Sequence, residues 1–441
     1  MRKTLKMLCT IAAAMLLLPG GLSAQDRIRQ ASYQKTDFAL ARERTTTYKQ
    51  WVVYNEVEDE YFSFGLLDTS GVNNLFIKTQ HPFHVKDMEV YNDILYFCGS
   101  MYDSASMTNV GVMGYFPVYS MPTPTVRYIV YDTMSVLKKL DYYKLYTTQH
   151  VIMVGTGKDG RDYLVDAHRE TSTSSLCFYY NSWNQAWSYM PNIDAKFDDI
   201  AMVGDSIVVS ARVSDSSVVY LCYMEASPLG CMPFFSGGDI KTKQLMYTPI
   251  GRVLLQKAAD DTVYAVYRYS NSLAICQFKG SINTNSKKIQ LYNFLFNQDI
   301  YTILDVAIDR GNKNLGILLL DKGLFGESRR IYHIPTGKVA SGGTVYAHVY
   351  SSNNSTFQPV SLSRSINNMS VSVGDYDGQW AIAKVRNTVF GNCSTSLSAT
   401  LDNITKTATL NSKTHEDYYS EKAFAIMPIT NPTITVTTVC Q

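Results

Sequence analysis

The chain lacks every short motif from which a catalytic site is commonly read. It has no G-x-S-x-G elbow, no H-E-x-x-H pair and no P-loop, so three large hydrolase classes lose their signature. No two cysteines stand in C-x-x-C spacing, which excludes a zinc ribbon or a thioredoxin-type site. Seven histidines are scattered along 441 residues, too thinly to assemble a three-histidine metal site by spacing. No window carries a sustained apolar stripe of 3.6-residue period, so long amphipathic helices are not expected. An excess of one charge is missing as well. Three of the 40 basic residues (Arg2, Lys3, Lys6) lie in the first 24 positions and no acidic residue does, leaving 37 basic against 38 acidic, or −1. A near-neutral chain has no overall electrostatic attraction for nucleic acid or an anionic membrane surface. The locally basic stretch Asp26–Lys49 reads as a solvated arm.

What the sequence has begins with an address. Basic residues precede the apolar run Ile11–Leu18, then Pro19-Gly20-Gly21 and the small-residue site Leu22-Ser23-Ala24, the order of a secretory signal peptide. Cleavage is expected between Ala24 and Gln25, leaving residues 25–441 as one domain. No cysteine follows that site to carry a lipid. The run is well short of the roughly 20 apolar residues that span a bilayer, and no later stretch approaches that length, so no membrane insertion of the mature chain is expected. Of eight cysteines, Cys98, Cys177, Cys222 and Cys276 sit inside apolar strand-like runs, where cysteine serves as a small hydrophobe. Cys222 with Cys231, and Cys393 with Cys440, are the pairs for which a disulfide is considered; connectivity itself is not readable from sequence.

Hydrophobic residues make up 46% of the chain, and 32 tyrosines stand against 4 tryptophans, a balance that favours β-structure. The stretch Asp87–Phe116 reads as three short strands: Met88–Tyr91, a turn at Asn92-Asp93, Ile94–Cys98, a polar loop, then Val110–Phe116. Its first strand recurs as KLYTTQ at Lys144, DDIAMVG at Asp198, GRVLLQK at Gly251, ILDVAID at Ile303 and NNMSVSVG at Asn367. The spacings are 57, 54, 53, 52 and 64 residues. Second, third and often fourth strands follow in each copy, and KQWVVYNE, EYFSFGLLD and NNLFIKTQ supply a further copy upstream whose first strand lies near Asp37–Glu43. Four antiparallel strands per period of about 50 residues predicts an all-β fold, a β-propeller of seven blades with six as the alternative count. A pair of β-sandwich domains is the competing architecture. The polar stretch after Arg386 and the β-prone run Thr433–Val439 form an irregular closing segment, whose strands could complete a blade begun at the other end.

One passage, CFYYNSWNQAWSYMPNID from Cys177, resembles the kelch repeat, with Tyr180 closing a third strand and Trp187 opening a fourth. Where kelch repeats carry a double glycine this chain has Cys98-Gly99-Ser100, Gly155-Thr156-Gly157 and Ala211-Arg212. The resemblance implies a ring of blades used as a binding platform and carries over no catalytic residue.

Several patterns permit chemistry on paper. Gly155–Gly160 spells G-x-G-x-x-G after a strand, but the fingerprint works only where a helix follows, and RDYLVDAH is a strand; Asp159-Gly160 reads as a hairpin turn. Asp375-Tyr376-Asp377-Gly378 has part of a calcium loop, yet Val373 and Lys384 stand where ligands are required; it also resembles in part the sialidase Asp-box, with Val373 and Asp377 replacing the serine and glycine. It reads as a polar turn. His81 and His84 are close in sequence without a third ligand. Trp183, in the polar turn NSWNQ, is the candidate for an exposed aromatic that stacks on a sugar ring or anchors a partner. Asn353, Asn354, Asn368, Asn392 and Asn403 begin N-x-S/T sequons, and Asp103-Ser104-Ala105 and Asp205-Ser206-Ile207 resemble an O-glycosylation acceptor of Gram-negative secreted proteins. No metal, cofactor or catalytic residue is expected. The functional expectation is an exported binding or scaffold module of a Gram-negative bacterium, periplasmic or at the cell surface, recognising a glycan or a protein at a loop-bearing face. The alternatives are a carbohydrate-active hydrolase or lyase with axial carboxylates, and a structural envelope component.

Overall fold

A computed structural model describes the strands and helix named below, with residues 104–107, 132–133, 158–161, 252 and 258. Side chains are described mainly between Phe83 and Val213 and between Arg252 and Leu362. The fold is all-β, built of antiparallel sheets of the kind that form propeller blades. β1 (Phe38–Leu40), β3 (Gln50–Val57), β4 (Tyr61–Asp68) and β5 (Leu75–Lys78) are successive neighbours, while β2 (Arg42–Glu43) reaches ahead to pair in parallel with β6. β6 (Phe83–Tyr91), β7 (Ile94–Asp103), β8 (Thr108–Pro117) and β9 (Thr125–Tyr131) form the next meander. β10 (Met134–Leu145), β11 (Thr148–Gly157), β12 (Asp162–Glu170) and β13 (Asn184–Tyr189) follow, then β14 (Ala195–Val203), β15 (Ser206–Val213), β16 (Ser216–Tyr223) and β17 (Lys241–Thr248). β18 (Val253–Lys257), β19 (Thr262–Tyr269), β20 (Ser272–Lys279) and β21 (Asn283–Ile289) repeat the plan, as do β22 (Ile300–Ile308), β23 (Asn314–Gly323), β24 (Gly326–Pro335) and, after the short helix α1 (Thr336–Ser341), β25 (Gly343–Ser351). β26 (Phe357–Ser363), β27 (Met369–Tyr376) and β28 (Gln379–Arg386) form a sheet of three. Among the described residues, no helix is long and apolar enough to cross a membrane.

The meanders whose side chains are described bury both faces. On β11, Val151 and Met153 join Tyr96, Met113, Ile129 and Tyr131 of the preceding sheet, while Ile152 and Val154 join Phe197, Ile200 and Val209 of the following one. The same alternation continues between the next sheets, through Val208, Val253 and Ala265, then through Val266, Ile275, Ile317 and Ile334. A strand with two dry faces reads as an unbroken apolar run, which is why ILYFC and HVIMV show no polar partner residues. The first strand of each meander is innermost and packs against the first strand of the next: β6 on β10, β10 on β14, β14 on β18, β18 on β22, β22 on β26, and β26 on β1. β6 and β10 run in the same direction, because Asp87 and Glu89 of β6 bond in order to Leu140 and Tyr142 of β10, and so do β14 and β18, where the Asp198 carbonyl and the Asp199 carboxylate meet Arg252 and Leu255 in order. The end of a sheet at which its inner strand begins is its leading end, and the other its trailing end.

Two boundaries differ from the sequence reading. KLYTTQ straddles two strands, with Lys144-Leu145 ending the inner strand β10, which starts at Met134, and Thr148-Gln149 opening β11. NNMSVSVG is a second strand, β27, and the inner strand before it is β26, whose Pro359 and bulge between Pro359 and Ser361 break the alternation. That misplacement accounts for the anomalous spacing of 64.

After β28 the chain does something the repeat pattern did not disclose. β29 (Ser394–Asn403), β30 (Thr409–Asn411), β31 (Lys413–Tyr418), β32 (Lys422–Ala425) and β33 (Met427–Pro428) do not make a sheet of their own. β29 pairs with β25 and then β21, β30 with β17, β31 with β13, β32 with β9 and β33 with β5, every pairing antiparallel. The segment is a belt that walks backwards around the outer edges of the meanders. The run Thr433–Val439 lies outside the described residues.

Inner strands also carry a repeated close approach. The register slips between Val85 and Asp87, Leu137 and Lys139, Phe197 and Asp199, Ile303 and Asp305, and Pro359 and Ser361. Opposite three of these bulges stand Gly99, Gly155 and Gly374, where an added Cβ would fall 1.9 Å from His84 O, 2.7 Å from Val136 O and 2.1 Å from Gln358 O. Gly99→Ala should therefore lower unfolding free energy by about 1–3 kcal/mol, the usual range for overpacking. Gly337→Ala, with nothing within 4 Å of the new Cβ, should be neutral or slightly stabilising in the same urea titration.

Candidate functional site

The bulges place a carboxylate where its own sheet cannot use it. A β-bulge leaves one residue out of the ladder and re-aims its neighbours. In β6, Asp87 Oδ2 accepts the backbone N–H of Leu140 at 3.1 Å, and Asp87 Oδ1 accepts Lys139 Nζ at 3.3 Å. In β14, Asp199 Oδ2 accepts the N–H of Leu255 at 2.8 Å. In β22, Asp305 Oδ2 accepts the N–H of Leu362 at 2.7 Å and the Ser361 hydroxyl at 2.9 Å. A second tier lies two residues further on: Glu89 accepts the N–H of Tyr142 at 3.4 Å and Asp141 accepts that of Met202 at 2.6 Å. Each bond links one inner strand to the next. Asp162, from β12, adds a bond from the Phe197 N–H at 2.7 Å and also accepts Lys138 Nζ at 2.6 Å.

At the leading end, polar side chains collect around the starts of β10, β14 and β18. Asp198 accepts Arg212 Nε at 2.9 Å, and Arg252 Nε lies 3.8 Å from the same carboxylate. The two arginine side chains are 54% and 42% exposed, and Asp198 is 6% exposed. Two guanidinium groups on one carboxylate leave a net positive charge facing water. Lys196 Nζ donates to Gly160 O at 2.6 Å, and Lys86 is exposed. Nearby, the β7–β8 turn exposes Tyr102 and Met107, the latter at φ 52°, with Asp103 accepting the N–H groups of Ala105 and Ser106. Hydrogen bonds from the Ser106 hydroxyl and these amides hold the Asp103 carboxyl below the ordinary aspartate range.

A third cluster is dry. His150 and His168 face each other across β11 and β12 with ring centroids 5.9 Å apart, and both are buried beside the fully buried Asp166. His150 Nδ1 lies 3.1 Å from Asp166 Oδ1, within hydrogen-bond reach, whereas His168 Nδ1 is 3.8 Å from Oδ2, too far for one. Burial pushes the His168 imidazole down to about 4; Asp166 pulls it upward and His150 pushes it further down. His168 is neutral at pH 7. Among the described residues no group of three or more His, Cys, Asp or Glu side chains is arranged to hold a metal ion.

The sequence candidates fall as follows. Trp183, Ala24, Gln25, Cys231, Cys393 and Cys440 lie outside the described residues, and of Cys222 only the backbone, paired with Ile207 and Thr242 in sheet order, is described. Cys98 and Cys276 are fully buried thiols. Gly155–Gly160 ends β11 and forms a hairpin turn, with Gly160 at φ 79° and the Arg161 N–H on Asp159; no helix starts there. Asp377 and Gly378 lie outside the described residues; Tyr376 and Gln379 on either side of them are partners across β27 and β28. Sequence reasoning missed the inter-strand carboxylates and the histidine pair. The former had a signal in the recurring aspartate of DMEVYN, DDIAMVG and ILDVAID; the latter required the β11–β12 register.

No protein-family model matches the chain, and no curated protein does. Among solved structures the chain is similar to oligopeptidase B from Leishmania major at 11% identity, with TM-score 0.33 over 77% of this chain and 58% of that one. It is also similar to a GH32 β-fructofuranosidase from Bombyx mori, a mutant in complex with sucrose, at 8% identity, with TM-score 0.27 over 86% and 91% of the two chains. The chain thus spans a little over half the length of oligopeptidase B. Scores this low bear on neither activity nor ligand.

Two outcomes follow from this geometry. Asp199→Ala strips the Leu255 N–H of its acceptor inside the protein and should cost about 1–3 kcal/mol, with Asp199→Asn recovering part of it; Asp103→Ala, at an exposed turn, should stay within about 0.5 kcal/mol. For His168 the folded pKa lies below the unfolded value near 6.5, so the unfolded chain binds more protons between about pH 4 and 6.5. Stability should fall as pH drops through that window, by about 3 kcal/mol in total. The difference between wild type and His168→Gln in urea titrations at pH 7, 6, 5 and 4 isolates this contribution from other carboxylates.

Proposed function

We propose that the chain is an exported seven-bladed β-propeller that acts as a binding module, recognising acidic groups on a glycan or a protein at its leading end. The blade count rests on the cycle of inner strands β1, β6, β10, β14, β18, β22 and β26, each packed on the next and the last on the first. Export rests on the signal-like residues 1–24. The observation that carries the binding reading is the fate of the inner-strand acids: Asp87, Glu89, Asp141, Asp199 and Asp305 each accept a backbone N–H of the neighbouring strand. A glycosidase needs two carboxyl groups flanking a shared substrate bond, and acids committed to holding strands together are poorly placed for that work. What the leading end offers instead is guanidinium, ammonium and aromatic surface on short, well-anchored turns. Rigid sheets with variable turns place recognition on those turns.

The paired substitution Arg212→Ala with Arg252→Ala should weaken binding to an acidic polysaccharide or acidic glycan array by about tenfold or more, since hydrogen bonds to charged groups contribute about 1.5–3 kcal/mol each. Neutral glycans should be unaffected. Full retention of acidic-ligand binding by a variant with unchanged thermal unfolding would remove this site from consideration.

A further inference from the structure

We propose that the outer edge of β28 is a strand-docking surface and that its occupant is the C-terminal run of this same chain, Thr433–Val439. The inference is independent of any ligand reading. The preceding meanders each carry a fourth strand, and each fourth strand carries a length of the belt; the β26–β28 sheet stops at three, with no strand on the outer edge of β28 among the described residues. An exposed edge presents a row of unpaired amides and carbonyls that another strand can satisfy.

The belt leads there. It starts on β25, passes to β21, β17, β13 and β9, and ends on β5 at Pro428. The sheet that begins with β1 packs against β26, so one further step in the same sense reaches β28. The reach is sufficient. Between successive belt strands lie five, one, three and one residues (Asn403 to Thr409, Asn411 to Lys413, Tyr418 to Lys422, Ala425 to Met427), and four residues, 429–432, separate Pro428 from Thr433. Direction follows from the earlier steps. Each leaves the trailing end of one outer edge and enters the leading end of the next, as from Asn411 opposite Lys241 to Lys413 opposite Tyr189, so the same step lays the run along β28 from its leading end, parallel to it. Thr433–Val439, TITVTTV, is β-branched throughout, as a strand requires.

The test is hydrogen exchange on the full-length chain, read by mass spectrometry. The amides of Thr433–Val439 should exchange at least about a hundredfold slower than in an unstructured peptide. A two-residue hairpin loop is closed by a hydrogen-bonded pair, here Tyr376 and Gln379, so Trp380, Ile382, Lys384 and Arg386 turn their N–H groups outward. Ile382→Pro should spare the ladder to β27 and release protection in 433–439 while leaving β29–β31 protected. Val436→Pro, within the occupant, should release protection in β28 at the outward amides. Exchange of 433–439 at the unstructured rate overturns the proposal. So does a dimer by light scattering whose protection in 433–439 disappears on dilution, because the occupant would then come from a second copy.

Discussion

The bond between an inner-strand carboxylate and the backbone amide of the next inner strand is the constraint on which this architecture turns. Apart from β6, which also holds β2, an innermost strand pairs along one edge only, and its other edge faces the neighbouring inner strands. Buried amides on that edge must still find acceptors. No ladder joins neighbouring inner strands among the described residues, so the acceptor is a side chain, short, with two oxygens and free of its own sheet. The bulge supplies it. By dropping one residue out of register it swings Asp87, Asp199 or Asp305 toward the next sheet, and the same oxygen pair can hold a nearer amide as well, as Asp199 does with Ile200 N–H at 2.9 Å and Asp305 with Val306 N–H at 2.9 Å. Hydrogen bonds to ionised groups are stronger than neutral ones, which suits a position where each sheet meets its neighbour at few points. The glycines on the second strands are the counterpart: the bulge pushes a carbonyl over the partner strand, and Gly99, Gly155 and Gly374 have no Cβ for it to strike.

How much of this was legible depends on which interaction left a mark in one strand alone. Burial on two faces writes itself into consecutive residues, so ILYFC, HVIMV and SIVVSA announced their strands. Hairpin loops write themselves into dipeptides, and Asp159-Gly160 was readable for that reason. The bulge erases alternation locally. It hid the first half of β10, and with Pro359 it hid β26, so that the second strand was taken for the first. The glycines aligned with a kelch position were visible, but their cause, a carbonyl from another strand, was not. The histidine pair depends wholly on register: eighteen positions separate His150 and His168 in the chain, and only the β11–β12 ladder sets them opposite each other. The belt left still less trace, because its strands meet solvent-side edges and need no apolar face, and the stretch after Arg386 is accordingly polar.

The two edges of each sheet are thus treated by different chemistry. The inner edge is closed by carboxylates from the neighbouring sheet, whose reach fixes the distance between inner strands. The outer edge is closed by backbone, from a segment that visits the sheets in reverse order and so couples the end of the chain to its beginning. A carboxylate is selective for one amide and specifies register; a belt strand is tolerant of sequence and specifies connectivity. Contacts within a meander close short loops, whereas the belt pairs residues from 44 positions apart (Tyr350 with Ser394) to 351 (Ile77 with Pro428) and carries the larger loop-closure entropy.

Faces and edges being occupied, little of the sheet surface is left for recognition. Among the described residues, the apolar faces pack on neighbouring sheets, several inner edges hold carboxylates, and the outer edges other than that of β28 hold the belt. Only the turns at the two ends remain, and they are unequal in what is described: the leading end carries Arg212 and Arg252 around Asp198, Lys196 on the Gly160 carbonyl, and the exposed Tyr102 and Met107. A ligand that met this surface would find positive charge held by strands whose spacing is set a few residues below by the bulges. Were one of the scaffold carboxylates, Asp87, Asp199 or Asp305, to carry a proton for a ligand, it would have to release the strand it holds.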